Sequence, residues 1–249
     1  MSTAQFVVGV IGNVTSICLF LSPFTTFLKI IKLRSTEEYS AVPYVATLLN
    51  CFLWLLYGSP FVKWGVLVVT INGAGAFIEL FYLCLYLVYS KDRRTRRNAV
   101  LMITAIVIFF VAVLLINLLG IHRHSKRQTV VGILCVIIGT SMYVSPLTIM
   151  KTVITTKSTE FMPLPLSVFN LLNGIVWTTY ALIGHDLYIT IPNALGVFFA
   201  LCQLTLYGCF CGNTRRMPTE ITEVTENGKG VPPDVMSVGT AQFQNHAEV

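Results

Sequence analysis

Charged residues are scarce in this sequence. Asp, Glu, Lys and Arg make up 11% of its 249 residues, whereas hydrophobic residues make up 55%. A soluble domain carries about 25% charged residues, so the composition excludes an ordinary soluble fold. Most of the apolar stretches reach the ~20 residues that cross a ~30 Å hydrocarbon core as a helix, which predicts an all-α membrane protein with seven transmembrane helices. These stretches lie at about 5–30, 43–62, 65–89, 99–120, 129–153, 164–184 and 187–211.

Residue groupings that carry catalysis or bind metals are missing as well. The seven cysteines lie in or beside the apolar stretches and form no CxxC pair, so they indicate neither a disulfide framework nor a metal site. No nucleophile, base or His cluster stands out, and we expect no enzyme activity, no metal and no cofactor. The last apolar stretch contains no lysine, which excludes a retinal protein.

Positive charge is distributed unevenly between the loops. If every apolar stretch spans the membrane, thirteen of the 17 Lys and Arg residues fall on one side, in the first, third and fifth loops and the C-terminal segment. Cytoplasmic loops carry such an excess, which places the N-terminus outside and the C-terminus in the cytosol. The net charge of +6 then reflects topology and contact with anionic lipid, and requires no nucleic-acid partner.

A three-helix unit occurs twice in the chain. Residues 9–58 align on residues 132–181 at a constant offset of 123 without gaps. After a two-residue shift, Asn72 aligns on Asn193 at an offset of 121. Apolar composition alone would not place polar and aromatic residues in register, so the pattern indicates a duplication. The matched residues include Ser22-Pro23 with Ser145-Pro146, Ser35-Thr36-Glu37 with Ser158-Thr159-Glu160, Leu48-Leu49-Asn50 with Leu171-Leu172-Asn173, Trp54 with Trp177, and Tyr57 with Tyr180.

The fourth apolar stretch has a geometric reason to exist. A unit of three helices is odd, so a directly attached copy would insert upside down, and one additional crossing makes the two units parallel. We therefore divide the chain into a first repeat at 1–92, a linker helix 4 at 93–124, a second repeat at 125–212 and a disordered cytosolic tail at 213–249. The tail is rich in Thr, Glu, Gly and Pro and cannot bury a core. A seven-helix receptor would not show this parallel duplication.

Two asparagines and two tryptophans are predicted to lie deep in the membrane. At 1.5 Å per residue, Trp54 lies roughly 16 Å from the inner surface and Asn72 roughly 10 Å from the outer one. Trp177 and Asn193 reach similar levels in the second unit. A buried amide is costly in lipid, so the asparagines must face the protein interior or a wet cavity. In such a cavity the amides offer hydrogen-bond donors and acceptors and the indoles offer flat apolar faces to a ligand; the alternative is that these residues only join helices and fill gaps.

Four prolines are predicted to collect near the cytosolic mouth. Pro23 and Pro146 lie in the inner halves of the first and fifth helices, and Pro43 and Pro163 at the inner starts of the second and sixth. A proline inside a helix removes a backbone hydrogen bond and kinks the helix. The prolines therefore mark either hinges or ordinary kinks and helix starts.

In sequence the chain resembles the SWEET (MtN3/saliva, PQ-loop-related) family of sugar transporters, plant-type seven-helix members, over residues 6–212. The first unit supplies Gly12-Asn13, Leu21-Ser22-Pro23-Phe24, Arg34-Ser35-Thr36-Glu37, Val42-Pro43-Tyr44, Leu48-Leu49-Asn50-Cys51, Trp54-Leu55-Leu56-Tyr57-Gly58 and Ile71-Asn72-Gly73. The second supplies Ser145-Pro146-Leu147, Lys157-Ser158-Thr159-Glu160-Phe161-Met162-Pro163, Trp177, Tyr180 and Ile191-Pro192-Asn193.

The resemblance implies a fold and an activity. The fold has two parallel three-helix bundles, packed 1-3-2 and 5-7-6, with helix 4 between them. The activity is energy-independent exchange of mono- or disaccharides in both directions by alternating access. The partners are a sugar, membrane lipid and further copies of the chain in a homotrimer. We expect the plasma membrane, with a vacuolar or other internal membrane as the alternative.

The resemblance also implies roles for individual residues. The substrate site falls on Asn72, Asn193, Trp54 and Trp177, and the inner gate on the proline tetrad Pro23, Pro43, Pro146 and Pro163. In the repeat Pro43 aligns with Leu166, and Pro163 takes the equivalent role. The outer gate falls on Tyr57 and Asp186. Substrate size is predicted to be set by Leu19, Asn50, Met142 and Asn173. Each lies four residues before a hinge proline or a site tryptophan, and therefore on the same helix face as that residue.

These size positions favour a small sugar. They carry larger residues than the Val and Ser of sucrose-type members, so we expect glucose or fructose rather than a disaccharide. The alternative is that they only pack between helices. No acid pair lies at mid-membrane, which favours uniport, and Glu79 alone is expected to form a structural hydrogen bond. A proton-coupled or amino-acid carrier of a related repeat fold is the second hypothesis.

Overall fold

Apolar helices make up nearly all of the described chain. The computed structural model of the protein describes residues 1–37, 39–159 and 162–213, and among these no strand is present. The all-α prediction is thus confirmed for this part of the chain. The tail predicted to be disordered lies, beyond residue 213, outside the described residues.

Within the described residues, nine α-helices follow one another. A π-helical turn at Ile116–Gly120 continues the fifth, and a 3-10 turn at Cys211–Asn213 follows the last. The helices are α1 Thr3–Phe20, α2 Phe24–Leu33, α3 Val42–Gly58, α4 Val66–Tyr89, α5 Arg93–Leu115, α6 His124–Ser141, α7 Val144–Thr156, α8 Leu164–Ile183 and α9 Leu187–Phe210.

The helices have the length and composition of membrane spans. In the described part of the chain, six helical segments are long and apolar enough to cross a membrane, with α1–α2 and α6–α7 each counted as one segment. The apolar α3 has 17 residues, which is about 25 Å at 1.5 Å per residue and short of the usual ~20 residues. The chain is a multi-pass membrane protein.

Prolines coincide with two interruptions at matching places in the repeat. The first span breaks between α1 and α2, where Leu21, Ser22 and Pro23 form a turn and the Ser22 N–H donates to Leu19 O at 3.0 Å. The fifth span breaks at Met142 and Tyr143, just before the turn that contains Pro146. A proline lacks an N–H and clashes with the carbonyl four residues earlier, which accounts for an interruption of the helix at each place.

Contacts between helices join the two halves of the chain. α1 packs against α4 and α8, α3 packs against α4, α5 and α6, and α9 packs against α6, α7 and α8. The pairs α1–α8 and α3–α6 connect the first half with the second. The linker helix α5 begins at Asp92, whose carboxylate accepts hydrogen bonds from Thr95 and from two backbone N–H groups. The bond from the Thr95 hydroxyl is the main reason that the pKa of Asp92 is lowered.

Two glycines allow helices to approach closely at equivalent points of the repeat. A Cβ atom on Gly9 would lie 2.5 Å from Leu67 Cδ1 and 2.9 Å from the Tyr180 ring. A Cβ atom on Gly132, at an offset of 123, would lie 2.5 Å from the Tyr188 ring. Small residues at such crossings let backbones approach within the membrane. These glycines set how tightly the first and fifth spans pack.

Replacing these glycines by alanine should weaken the bundle. Gly9→Ala and Gly132→Ala force a side chain into occupied space, and such overpacking costs about 1–3 kcal/mol. Thermal unfolding in detergent should therefore shift to lower temperature for both variants. The matched control is Gly208→Ala in α9, because a Cβ there meets nothing within 4 Å. Unchanged unfolding temperatures for the first two variants would contradict the close-packing assignment.

Candidate functional site

Two connected cavities lie between the halves of the bundle. The larger has a volume of about 440 Å³ and the smaller about 160 Å³. They meet at shared lining residues from α1, α3, α8 and α9. The shared residues are Ser16, Phe20, Asn50, Trp54, Asn173 and Asn193.

All four residues predicted for the substrate site line the smaller cavity. Asn72, Asn193, Trp54 and Trp177 come from four different helices, and Trp54 and Asn193 also line the larger cavity. The structure therefore brings them together. Both asparagines are half-buried, as expected for amides that face a cavity within a membrane.

The two asparagines are oriented in the same way by their own helices. Asn72 Nδ2 donates to Val68 O at 2.9 Å, and Asn193 Nδ2 donates to Ile189 O at 2.8 Å. Each bond satisfies one amide N–H and fixes the carboxamide. The carbonyl oxygen and the second N–H of each have no partner among the described residues, which leaves a donor and an acceptor for a ligand.

The four positions predicted to set substrate size line the larger cavity. Leu19 and Met142 contribute apolar surface, and Asn50 and Asn173 contribute amides. The two amides differ: Asn173 Oδ1 accepts from the Ser16 hydroxyl at 2.7 Å, whereas Asn50 Oδ1 is buried without a hydrogen-bond partner among the described residues.

Three of the four predicted hinge prolines line the larger cavity. They are Pro23, Pro43 and Pro146. Pro163 precedes α8 and is not a lining residue of either cavity, whereas Leu166, the residue aligned with Pro43, is one. At the position equivalent to Pro43, the wall in the second half thus contains a leucine.

The predicted outer gate residues form a closed contact. The Tyr57 hydroxyl lies 2.9 Å from both carboxylate oxygens of Asp186 and donates to them, and Lys63 Nζ lies 2.6 Å from Asp186 Oδ2. Tyr57 and Asp186 are 1% and 5% exposed. Gln128 Nε2 adds a bond to the Tyr57 hydroxyl oxygen at 3.3 Å.

Asp186 also caps a helix. Its Oδ1 accepts from the backbone N–H groups of Tyr188 and Ile189 at the start of α9. A carboxylate is favoured at a helix N-terminus, where unpaired N–H groups and the helix dipole attract negative charge. The buried carboxylate is therefore stabilised by a tyrosine, a lysine and a helix end together.

This contact lies in the wall of a third cavity, which shares the lining residues Val68 and Ile189 with the smaller central cavity. The third cavity has a volume of about 390 Å³ and lies on the side of the N-terminus, with Met1, Gln5 and Trp64 in its wall beside Tyr57 and Asp186. We call this the N-terminal side. Edge-to-face ring pairs underlie the contact, between Trp54 and Tyr57 at 5.5 Å and between Trp177 and Tyr180 at 5.2 Å. The Tyr57–Asp186 contact thus lies on the N-terminal side, whereas the larger central cavity is lined by three of the prolines.

Sequence reasoning missed several of these residues. Lys63 aligns on Asp186 at an offset of 123, so the repeat held the signal for a pair of opposite charges across the two halves. Ser16 carried no such signal, because its importance depends on Trp177 and Asn173 of a distant helix.

The hydrogen bonding of Glu79 differs from the prediction. It is 3% exposed and lines the larger cavity, but its Oε2 has no hydrogen-bond partner among the described residues. The structural hydrogen bond predicted for this carboxyl group is absent at that oxygen.

Known proteins are similar to this chain over most of its length. The MtN3/saliva family, described as sugar efflux transporters for intercellular exchange, matches residues 6–94 and 129–215. The bidirectional sugar transporter SWEET4 of Oryza sativa subsp. indica is 53% identical over 216 residues, which cover 86% of this chain and 83% of that protein. The bidirectional sugar transporter SWEET7 of Arabidopsis thaliana is 47% identical, with the same coverage.

A solved structure is similar as well. A eukaryotic SWEET transporter determined at 3.7 Å resolution superposes with a TM-score of 0.80 at 38% sequence identity. The match covers 84% of this chain and 97% of the other.

Loss of the Tyr57 hydroxyl should destabilise the closed contact. Tyr57→Phe removes a buried hydrogen bond to a carboxylate, which contributes about 1.5–3 kcal/mol. Thermal unfolding in detergent should therefore occur at a lower temperature. The matched control is Tyr180→Phe, since Tyr180 aligns with Tyr57 but its hydroxyl has no hydrogen bond among the described residues. Equal effects of the two substitutions would contradict a specific role for the Tyr57 hydroxyl.

Proposed function

The chain belongs to the SWEET (MtN3/saliva) family of sugar transporters, which are not enzymes, and on this premise we propose that it is a bidirectional facilitative uniporter for hexoses. The observation that carries the proposal is the central pair of cavities, lined by paired asparagines and tryptophans and closed on one side by Tyr57 and Asp186.

We further propose seven spans in two parallel bundles, ordered 1-3-2 and 5-7-6. Counting α1–α2 and α6–α7 as single spans gives seven when the short α3 is included. The contacts of α4 with α1 and α3, and of α9 with α6 and α8, support this order. The division into repeats at 1–92 and 125–212 around a linker is supported by the two separate family matches.

Sugar binding would use both kinds of side chain at the smaller cavity. The free amide groups of Asn72 and Asn193 suit hydroxyls, which both donate and accept hydrogen bonds. The indole faces of Trp54 and Trp177 suit the apolar C–H faces of a sugar ring. Partly desolvated amides discriminate strongly for hydroxyls, because an unmatched polar group in such a site is costly.

The Tyr57–Asp186 contact on one side of the cavities and the prolines on the other support a mechanism of alternating access. The proposed outer gate is Tyr57 with Asp186, to which the structure adds Lys63 as a partner. The proposed inner hinges are Pro23, Pro43, Pro146 and Pro163, which lie at helix interruptions or helix starts that can absorb a change of angle. The positive charge on the side of the prolines supports an outer N-terminus and a cytosolic C-terminus. We place the protein in the plasma membrane as a homotrimer, on family resemblance.

The hexose preference rests on the wall of the larger cavity. Leu19, Asn50, Met142 and Asn173 all face this space. Each added methylene is felt in a close-packed wall, so four larger residues leave less room for a second sugar ring.

A proton-coupled carrier is the competing proposal, and Glu79 is the observation in its favour. An unpaired acid inside a membrane protein is a candidate proton site. Among the described residues that line the two central cavities, however, Glu79 is the only carboxylate, and no second acid or base stands beside it to couple proton and sugar.

Transport by the purified protein in liposomes should equilibrate hexose without concentrating it. Labelled glucose and fructose should enter and leave down their gradients, faster than sucrose, and a protonophore should leave the rates unchanged, since no coupling pair stores a driving force. Protein-free liposomes measure the leak. Accumulation above the external concentration that a protonophore abolishes would favour the proton-coupled carrier.

Asn72→Ala and Asn193→Ala should each weaken sugar transport. Losing hydrogen bonds to the sugar costs about 1–3 kcal/mol, hence roughly ten- to hundredfold in apparent affinity. The measurement is the concentration dependence of glucose uptake at equal protein content. Asn98→Ala, an exposed asparagine of α5, makes the same chemical change away from the cavities and serves as the control. Near-normal uptake by both cavity variants would place the sugar elsewhere.

A further inference from the structure

Two asparagines at matching positions of the repeat differ in their hydrogen bonds. Asn173 Oδ1 accepts from the Ser16 hydroxyl at 2.7 Å and from the Thr15 hydroxyl at 2.9 Å. Asn50 Oδ1 is buried and has no hydrogen-bond partner within the described chain. One amide is therefore held by the protein, and the other is not.

The residues opposite each amide explain the difference. At an offset of 123, Ser16 corresponds to Gly139 and Thr15 to Ile138, and neither of the latter carries a hydroxyl. A Cβ atom on Gly139 would lie 3.6 Å from Asn50 Oδ1, an ordinary contact distance. Gly139 is thus the residue that faces this oxygen, and it supplies no partner.

The same asymmetry extends to the tryptophans. Trp177 Nε1 donates to Ser16 Oγ at 2.9 Å, so one hydroxyl of α1 joins both the indole and the amide of α8. Trp54 Nε1 has no acceptor in the described part of the chain, and Gly139 stands where the equivalent hydroxyl would be. Asn50 and Trp54 both line the two central cavities.

An amide without a hydrogen-bond partner in the protein is available to bind a ligand. Buried carbonyl groups without partners are destabilising and rare in native proteins, so such a group marks a place where a partner is expected. The terminal torsion of an asparagine is broad and roughly two-fold, so a half turn of the Asn50 carboxamide presents its oxygen to the cavity. A sugar hydroxyl can then donate to that oxygen and accept from the indole N–H.

We propose that Asn50 and Trp54 bind a hydroxyl of the transported sugar, that Asn173 instead holds α1 against α8, and that Gly139 makes the difference. The sugar hydroxyl takes the role that the Ser16 hydroxyl has in the other half. The sugar is therefore bound towards α3 rather than equally by the two repeats. This inference rests on the proposed sugar transport.

Substitution of Gly139 tests the asymmetry directly. Gly139→Ser supplies a hydroxyl within reach of Asn50 Oδ1 and should raise the KM for glucose by about tenfold, the effect of one lost hydrogen bond. It should also raise the unfolding temperature in detergent, because the buried oxygen gains a partner. Gly139→Ala adds the same carbon without the oxygen, and its KM should stay near that of the wild type.

Monodeoxyglucoses identify the bound hydroxyl. In the wild type, the one sugar that lacks this hydroxyl should compete with glucose uptake about tenfold less well than glucose itself. In Asn50→Leu, which removes the amide and keeps the branched shape of the side chain, that sugar and glucose should compete equally. Gly139→Ser should likewise abolish the difference in competition between that sugar and glucose, whereas Gly139→Ala should preserve this difference.

The outcomes separate this inference from the proposed function. If no monodeoxyglucose competes less well in the wild type, or if every such difference persists in Asn50→Leu, the Asn50 assignment is wrong although sugar transport stands. If Gly139→Ser does not reach the membrane, the wild type and Asn50→Leu are sufficient for the test. The quantity compared is then how well the deoxyglucose competes relative to glucose in each of the two proteins. A wild-type protein that transports no sugar would refute the proposed function itself.

Discussion

Hydrocarbon offers no hydrogen bonds, and this constraint organises the whole bundle. Every polar side chain between the helices must find a partner in the protein or face a wet cavity. The first solution joins the two repeats: Ser16 links Trp177 and Asn173 across α1 and α8, and Tyr57 reaches Asp186 across α3 and the start of α9. The second solution is the pair of central cavities, where Asn72 and Asn193 keep unused groups.

The closed contact on the N-terminal side, the proposed outer gate, consists of such bonds. Burial of the Asp186 carboxylate carries a desolvation penalty. Hydrogen bonds and an ion pair with Tyr57, Lys63 and two backbone N–H groups offset this penalty. For a buried ion pair the attraction and the penalty are of similar size. Opening of the proposed gate would replace these partners with water. The half-exposed Lys63 is already near solvent and needs little rearrangement.

Duplication supplies two similar halves, but a transported sugar is not symmetric. The aligned pairs Trp54 with Trp177 and Asn50 with Asn173 place the same chemistry on both sides of the cavities. The change from Ser16 to Gly139 breaks this symmetry with a single side chain. In one half the amide and the indole bind the protein, and in the other they remain available. A repeat protein can thus keep its architecture while its two halves take different roles.

Composition, periodicity and the internal repeat determined the all-α membrane fold, the duplication and the residues that meet at the central cavities. These properties follow from the chain itself, because apolar length selects membrane helices and a gap-free offset carries equivalent residues to equivalent places. Which partner each polar group finds was decided only by tertiary structure. Lys63 pairs with Asp186, Ser16 holds Asn173, Asn50 and Glu79 have unpartnered oxygens, and Leu166 rather than Pro163 lines the cavity. Hydrogen bonds require heavy atoms within about 3 Å, and that distance depends on how helices far apart in sequence are packed.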